Sequence, residues 1–182
     1  MQASTDVRFV PVTDADVARL AMTARAAYLP HYRALWTDGG EGYVARSFAT
    51  QVLRAERSAS GVDYRLIETP SGTAGFLKCV VPAASTPPAA APAAYLYLER
   101  LYLLPQFAGR GIGSTALQFV AGLARERGLA GVWLRAMADE PRVIRFYERH
   151  GYRACGSDRL VSPGVVVGRE RMLRMMLELR PA

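Results

Sequence analysis

The sequence predicts a single mixed α/β (α+β) domain over residues 1–182, a sheet with helices on its faces. Three observations predict it: several short apolar runs with strand alternation, four segments between them with helical spacing, and a glycine-rich turn leading from a strand into a helix. The length of 182 residues suits one domain, and a hydrophobic share of 51% can fill a core without disulfides or metal.

Asp6 to Val12 reads as the first strand, and Thr13-Asp14-Ala15-Asp16 after it is a capping-box-like signal that opens a helix. Val17, Leu20, Ala21, Ala24 and Ala27 recur at helical spacing until Pro30 interrupts. An aromatic and then turn-like stretch, His31 to Gly40, leads to a second helix from Glu41 to Arg57, with Tyr43, Val44, Phe48, Val52 and Leu53 as its apolar set. Strands over Asp63–Glu68 and Ala74–Val81 flank Pro70-Ser71-Gly72, a hairpin connection. Pro82 to Ala94 is almost wholly Pro, Ala, Ser and Thr and reads as a flexible hairpin loop. Tyr95 to Leu104 is a strong strand; strict alternation puts Tyr95, Tyr97, Glu99, Leu101 and Leu103 on one face. A helix from Ser114 to Arg127 stops at Gly128, a buried strand runs from Gly131 to Met137, and Pro141 stands at the start of a helix over Arg142–His150. Two last strands cover Tyr152–Leu160 and Arg169–Leu179; Met172, Met175 and Met176 fall there as core.

Basic residues outnumber acidic ones 23 to 16, giving a net charge of +7, and Lys78 is the only lysine. Arginine suits bidentate phosphate binding, so a polyanionic ligand such as a nucleotide cofactor fits this balance. No aromatic-interleaved basic run, zinc-finger spacing or RNP-like motif favours nucleic acid. Cys79 and Cys155 lie far apart with no CxxC spacing and no histidine nearby in sequence, which argues against metal binding and a disulfide framework, and they read as buried small hydrophobes. The first seventeen residues lack a charged segment followed by an apolar one, and no run reaches the ~18 apolar residues of a membrane span, so a cytoplasmic protein without membrane contact is expected.

The turn Pro105-Gln106-Phe107-Ala108-Gly109-Arg110-Gly111-Ile112-Gly113-Ser114 carries the chemistry. Glycines let successive N–H groups face one concavity, and the helix that follows adds its positive end, so the turn suits pyrophosphate. A P-loop would need Lys before Ser114, where Gly113 stands. A dinucleotide fold would place the turn after an early parallel strand, whereas this one comes late.

With Leu98-Glu99-Arg100-Leu101-Tyr102-Leu103-Leu104-Pro105 before the turn and Arg145-Phe146-Tyr147-Glu148-Arg149-His150-Gly151-Tyr152 after it, the chain resembles the GNAT N-acetyltransferases. These segments are similar to the family's fourth strand, its coenzyme-binding turn and its FYxxxGF helix end. The resemblance implies the GNAT fold, a mostly antiparallel sheet of six to seven strands flanked by about four helices. It implies acetyl-CoA (coenzyme A) as co-substrate, no metal, a small-molecule or peptide amine as acceptor and no nucleic acid, and it allows a homodimer. Aligning Leu103 and Pro105 with the family's V-x-P puts its signature on Ala108–Gly113, so Gln106 is out of register and Ala108 fills the Gln/Arg slot. Leu101, Tyr102, Leu103, Ala108, Gly109, Arg110, Gly111, Ile112, Gly113, Ser114 and Tyr147 are thereby the implied coenzyme contacts. Glu140 stands where the family often has Asn, and a carboxylate there is unfavourable beside an anionic coenzyme unless it turns away or pairs with Arg142.

Acetyl transfer needs a neutral amine, stabilisation of an oxyanion and a proton for the departing thiolate. The resemblance gives the last task to the Tyr147 phenol and the oxyanion to the main chain of Leu101–Leu103, where the strand splays from its neighbour. Glu99 is the carboxylate that could act as base; its alternative is an ion pair with Arg100 or another arginine. In relatives the base also occurs two residues earlier, here Tyr97, or on the fifth strand, here Arg135, which cannot serve. His31, Tyr32 and Trp36, with Glu99, are the expected acceptor-site residues, although Tyr28, Tyr32, Trp36 and Tyr43 read equally as a core cluster. His150, at a helix C-terminus, reads as structural. Gly168-Arg169-Glu170-Arg171-Met172 resembles the C-terminal part of spermidine-acetyltransferase-like members, while the net positive charge opposes long-range steering of polycations. The expected activity is acetyl transfer from acetyl-CoA to a primary amine; the rival is a GNAT-fold, coenzyme-binding regulatory protein without catalysis.

Overall fold

The structure, a computed structural model, describes residues 6–81 and 95–179. Among them seven strands form one sheet: β1 (Arg8–Pro11), β2 (Val62–Thr69), β3 (Gly72–Val80), β4 (Tyr95–Leu103), β5 (Gly131–Met137), β6 (Arg153–Arg159) and β7 (Arg171–Glu178), in spatial order β1-β2-β3-β4-β5-β7-β6. Every neighbouring pair is antiparallel except β4 with β5. The helices are α1 (Val17–Tyr32), α2 (Glu41–Ser47), α3 (Thr50–Ser58), α4 (Ile112–Glu126) and α5 (Pro141–Arg149), with single 3-10 turns at Asp14–Asp16, Arg33–Leu35 and Pro105–Phe107. The expected loop over Pro82–Ala94 lies outside the described residues.

Each sheet face carries its own core. On one, α4 places Ile112, Ala116, Val120 and Ala124 one turn apart against Leu96, Leu98, Val132 and Leu134. On the other, Leu20, Ala24 and Tyr28 of α1 and Leu53 of α3 cover Leu66 and Phe76. Each fully buried leucine among these contributes about 2 kcal/mol. The capping signal before α1 forms as expected: Asp16 Oδ2 accepts the Thr13 N–H at 3.0 Å and the Thr13 hydroxyl at 2.6 Å.

Four expectations are corrected. Helix α1 continues through Pro30 to Tyr32, because a proline in a last turn removes only one helical hydrogen bond. The helix expected over Glu41–Arg57 is two helices, broken where Phe48 leaves helical backbone (φ −123°, ψ 12°) and packs edge-on to Tyr28 and Phe76. Cys79 is buried, but Cys155 is exposed, because β6 is an edge strand. Finally, alternation along β4 does not hold throughout. Lys78 pairs with Arg100 and Cys79 with Leu98, so Glu99 is an extra residue in a β-bulge. Leu96 and Leu98 before the bulge, and Leu101 and Leu103 after it, all belong to the α4 side; Tyr102 packs on the α1 side.

Candidate functional site

The site begins where two parallel strands part. β4 and β5 pair from Tyr95–Gly131 to Leu98–Leu134 and no further. Beyond that point the β5-facing edge of β4, from Glu99 to Leu103, has no ladder partner in β5, and its free N–H and C=O groups can pair with an extended amide-bearing arm. The chain then makes the Pro105–Phe107 turn, and Gly109 (φ 74°) and Gly111 (φ 80°) take left-handed conformations that favour glycine. A Cβ at either position would meet nothing within 4 Å, so both glycines stand over open space. Gly111 caps α4, whose first N–H groups, from Ile112 to Ser114, lack intrahelical acceptors and carry the positive end of a 15-residue helix.

These elements border a cleft of about 470 Å³ lined by Leu101, Tyr102, Leu103, Ala108, Gly109, Gly111, Gly113 and Ser114, and across it by Tyr147, Phe146, Glu140, His31 and Tyr32. Ala108 lines the cleft, whereas Gln106 does not. Two implied coenzyme contacts do not reach it. Ile112 is buried under α4 because its side chain faces the sheet, and the Arg110 guanidinium lies over the Phe107 ring, 5.6 Å from its centroid. Their main chain remains part of the turn.

Helix α5 presents Tyr147 to this cleft. Its ring packs against Phe146 (5.3 Å between centroids) and Tyr152 (5.6 Å), and its hydroxyl has no hydrogen-bond partner among the described residues. Burial, and then Tyr32, push the phenol well above its ordinary value, so it stays protonated. His150 fixes the end of α5 to the start of α4. Its Nδ1 donates to Phe146 O at 2.8 Å, and Nε2 meets Ser114 Oγ at 2.9 Å. The expected structural role of His150 is therefore specific: it ties the turn's serine to the helix that carries Tyr147.

A second chamber of about 430 Å³ opens on the α1 side, lined chiefly by Tyr28, Tyr32, Tyr43, Tyr97, Glu99, Arg100, Tyr102, Arg135, Met137, Arg159 and Val161. Tyr32 and Tyr102 line both spaces and form the wall between them. Both phenols are neutral: burial first, then Glu140 and Tyr43, push Tyr32 up to about 12, and burial first, then Tyr32 and Tyr43, raise Tyr102 well above its ordinary value.

Glu99 enters this chamber from the bulge, held by Lys78 Nζ at 2.9 Å and Arg100 at 3.6 Å. Both cations are almost wholly buried and also contact Glu56, at 3.1 Å from Lys78 and 3.0 Å from Arg100. Tyr64 completes the network, donating to Glu56 and contacting Arg100. Burial raises the Glu56 carboxyl, but Arg100, Tyr64 and Lys78 outweigh it and leave it below its ordinary value. The pairing of Glu99 with Arg100 weighed from sequence is present, with Lys78 as the closer partner.

Other expected acceptor residues divide. His31 and Tyr32 face the first cleft, but Trp36 lines neither space; it is buried, donating Nε1–H to Tyr28 Oη at 2.9 Å. Glu140 neither turns away nor pairs with Arg142: it lines the first cleft and has no ion pair among the described residues. Tyr43, Tyr102 and Arg135 emerge as chamber residues that alternation alone did not assign. Among the described residues no cluster of metal-ligating side chains occurs, and no helix is long and apolar enough to cross a membrane.

Comparison with known proteins bears on the same region. A family model described as acetyltransferase (GNAT) family matches residues 23–152. Streptothricin acetyltransferase of Streptomyces lavendulae is 32% identical over 82 residues, covering 45% of this chain and 43% of that protein, so the match spans less than half of the curated relative. The structure of PaiA N-acetyltransferase from Thermoplasma acidophilum in complex with coenzyme A is similar with a TM-score of 0.77 at 17% identity, over 96% of this chain and 99% of that one. Nourseothricin acetyltransferase gives a TM-score of 0.55 at 23% identity, over 65% and 66%. At these identities the solved structures show a shared fold.

Proposed function

The chain belongs to the acetyltransferase (GNAT) family, and from that membership we propose that it transfers an acetyl group from acetyl-CoA to a primary amine, on a small molecule or a peptide, by direct attack on the thioester. One observation carries this reading. A single cleft joins the glycine turn, the free edge of β4 and the Tyr147 phenol, and only the Tyr32–Tyr102 wall separates it from a second chamber.

In this reading the turn and the start of α4 bind the coenzyme's phosphates through N–H groups, and the β4 edge binds its amide arm. The amine approaches from the second chamber along the Tyr32–Tyr102 wall. Its nitrogen bonds to the thioester carbon, main-chain N–H groups of Leu101–Leu103 stabilise the oxyanion, and the C–S bond breaks. The products are an N-substituted acetamide and the coenzyme thiol. Tyr147 donates to the departing sulfur. Because burial disfavours the phenolate, that donation is matched by reprotonation as the amine sheds its proton. Glu99 takes a different proton, the one that the ammonium form of the acceptor loses through water before it attacks, and passes it to solvent, Lys78 holding the carboxylate in place. Glu140 supports a second reading for the base, since it shares the cleft with Tyr147 and carries no cationic partner among the described residues.

Isothermal titration with acetyl-CoA, followed by a panel of amines with thiol-release detection, tests the proposal. Binding with turnover is expected. Absence of binding would sink it, and binding without acetylation of any amine would favour a regulatory coenzyme-binding protein. Glu99→Gln and Glu140→Gln then separate the two bases: the true base loses most rate at lower pH, where the amine is protonated, and the other leaves the profile's shape intact.

A further inference from the structure

The second chamber has an unbalanced charge. Among its lining residues Glu99 is the one carboxylate, facing Arg100, Arg135 and Arg159. Most of these charges are already matched: Glu99 by Lys78 and Arg100, Arg100 by Glu56, and Arg159 by Glu170. Arg135 is the exception. Its hydrogen bonds run from Nε (3.0 Å) and Nη2 (2.7 Å) to Tyr97 Oη, and it has no carboxylate partner among the described residues.

Three features hold this guanidinium at the rim of the chamber, where Arg135 is exposed. Arg135 stands on β5 just past the point where β4 leaves, so no neighbouring strand covers that side. It lies over the rings of Tyr97 (5.4 Å) and Trp133 (6.0 Å), which are stacked on each other at 4.0 Å. Tyr97 occupies one side of its fork, leaving the Nη1 hydrogens for a second acceptor. Its cross-strand partner is another cation: Arg135 is directly opposite Arg174. Like charges at such a position are unfavourable, and Asp158 relieves Arg174 at 2.5 Å but not Arg135.

Resting on the acetyl-transfer reading, we propose that the Arg135 guanidinium is an anion subsite of the acceptor chamber, and that the acceptor is a primary amine that also carries a carboxylate or phosphate. The anion takes the free side of the Arg135 fork in a charge-assisted hydrogen bond, which directs the amine toward the Tyr32–Tyr102 wall. A polycationic amine is correspondingly disfavoured by the same chamber.

The test uses matched acceptors with thiol-release detection: amino acids against their carboxamides for the carboxylate, and O-phosphoethanolamine against ethanolamine for the phosphate. The anionic member of at least one pair should be favoured about tenfold to hundredfold in kcat/KM, mostly through KM. Arg135→Met should bring that ratio close to one, and Arg135→Lys should restore part of it. Equal or greater rates for the neutral members, or a preference that survives Arg135→Met, would overturn the proposal. If no amine turns over while acetyl-CoA binds, the transfer reading fails on its own. The subsite is then judged by calorimetry, with coenzyme A bound, of N-acetylamino acids against their carboxamides. Carboxylate-dependent binding that is lost in Arg135→Met supports it, and its absence refutes it.

Discussion

Tyr147→Phe removes one oxygen and keeps the ring. The ring contacts with Phe146 and Tyr152 remain, and the hydroxyl surrenders no hydrogen bond within the described residues. Stability should therefore change by less than about 0.5 kcal/mol, or roughly 1–2 °C in Tm. If the phenol serves the departing sulfur, kcat should fall about 100-fold, the lower end for a positioned acid, which is about 2.7 kcal/mol in the barrier. Tyr152→Phe is the control. Tyr152 Oη is buried without a partner among the described residues, so its removal should be neutral or stabilise by about 1 kcal/mol and change turnover less than about threefold. The pH profile adds a sign. Burial and then Tyr32 raise the Tyr147 phenol, so wild-type rate should climb as the amine loses its proton and show no fall from this group up to pH ~10. Steady-state kinetics with thermal unfolding on all three proteins decide the matter. Turnover by Tyr147→Phe within about threefold of wild type at every pH would refute the donor role.

Other perturbations probe the scaffold. A Cβ at Gly113 would stand 3.1 Å from Phe146 Cζ, so Gly113→Ala requires that ring to give way by a few tenths of an ångström; with the ring held against Tyr147 and His150, Tm should drop by about 2–4 °C and turnover with it, and an unchanged Tm would mean that Phe146 yields freely. Glu56→Gln leaves Lys78 and Arg100 with Glu99 as their one remaining acid, and urea unfolding should show a loss of about 3 kcal/mol at neutral pH, whereas a loss below about 1 kcal/mol would mean that the network is not coupled through charge. Asp16 is held down at about 2 from an ordinary 3.8 by its bonds with Thr13 and then Arg19, so its carboxylate stabilises the fold above pH ~4 and that contribution disappears as pH falls toward 2. Asp16→Asn should accordingly cost about 1 kcal/mol at pH 7, discounted for partial exposure, and little at pH 2 in unfolding titrations.

Local signals located most elements because each rests on neighbours in sequence. Thr13 and Asp16 form their cap within one turn, and the glycine turn declares its left-handed positions through Gly109 and Gly111. The departures arise from contacts between distant parts of the chain. Phe48 breaks a helix to reach Tyr28 and Phe76, and Trp36, with a composition suited to a binding wall, is drawn into the core by its bond to Tyr28. Glu99 stood out as a charge in an apolar strand, but Lys78, Glu56 and Arg100 come to it from three other positions, and no spacing rule joins them. Arg135 likewise acquires its meaning from where β4 and β5 separate, a geometric event that the sequence of either strand does not mark.

The bulge at Glu99 makes β4 a strand with two audiences. Upstream of it odd-numbered side chains such as Tyr97 line the second chamber, and downstream even-numbered ones such as Tyr102 take over, while Leu101 and Leu103 line the first cleft. Deleting that single residue would leave a regular ladder, Leu98 against Cys79 and Arg100 against Lys78, with Leu101 and Leu103 still on the α4 side and Tyr102 still on the α1 side, and would remove only the carboxylate. Flattening the bulge with Glu99 kept in the ladder is what would exchange the faces, sending Leu101 and Leu103 toward the second chamber and Tyr102 away from it.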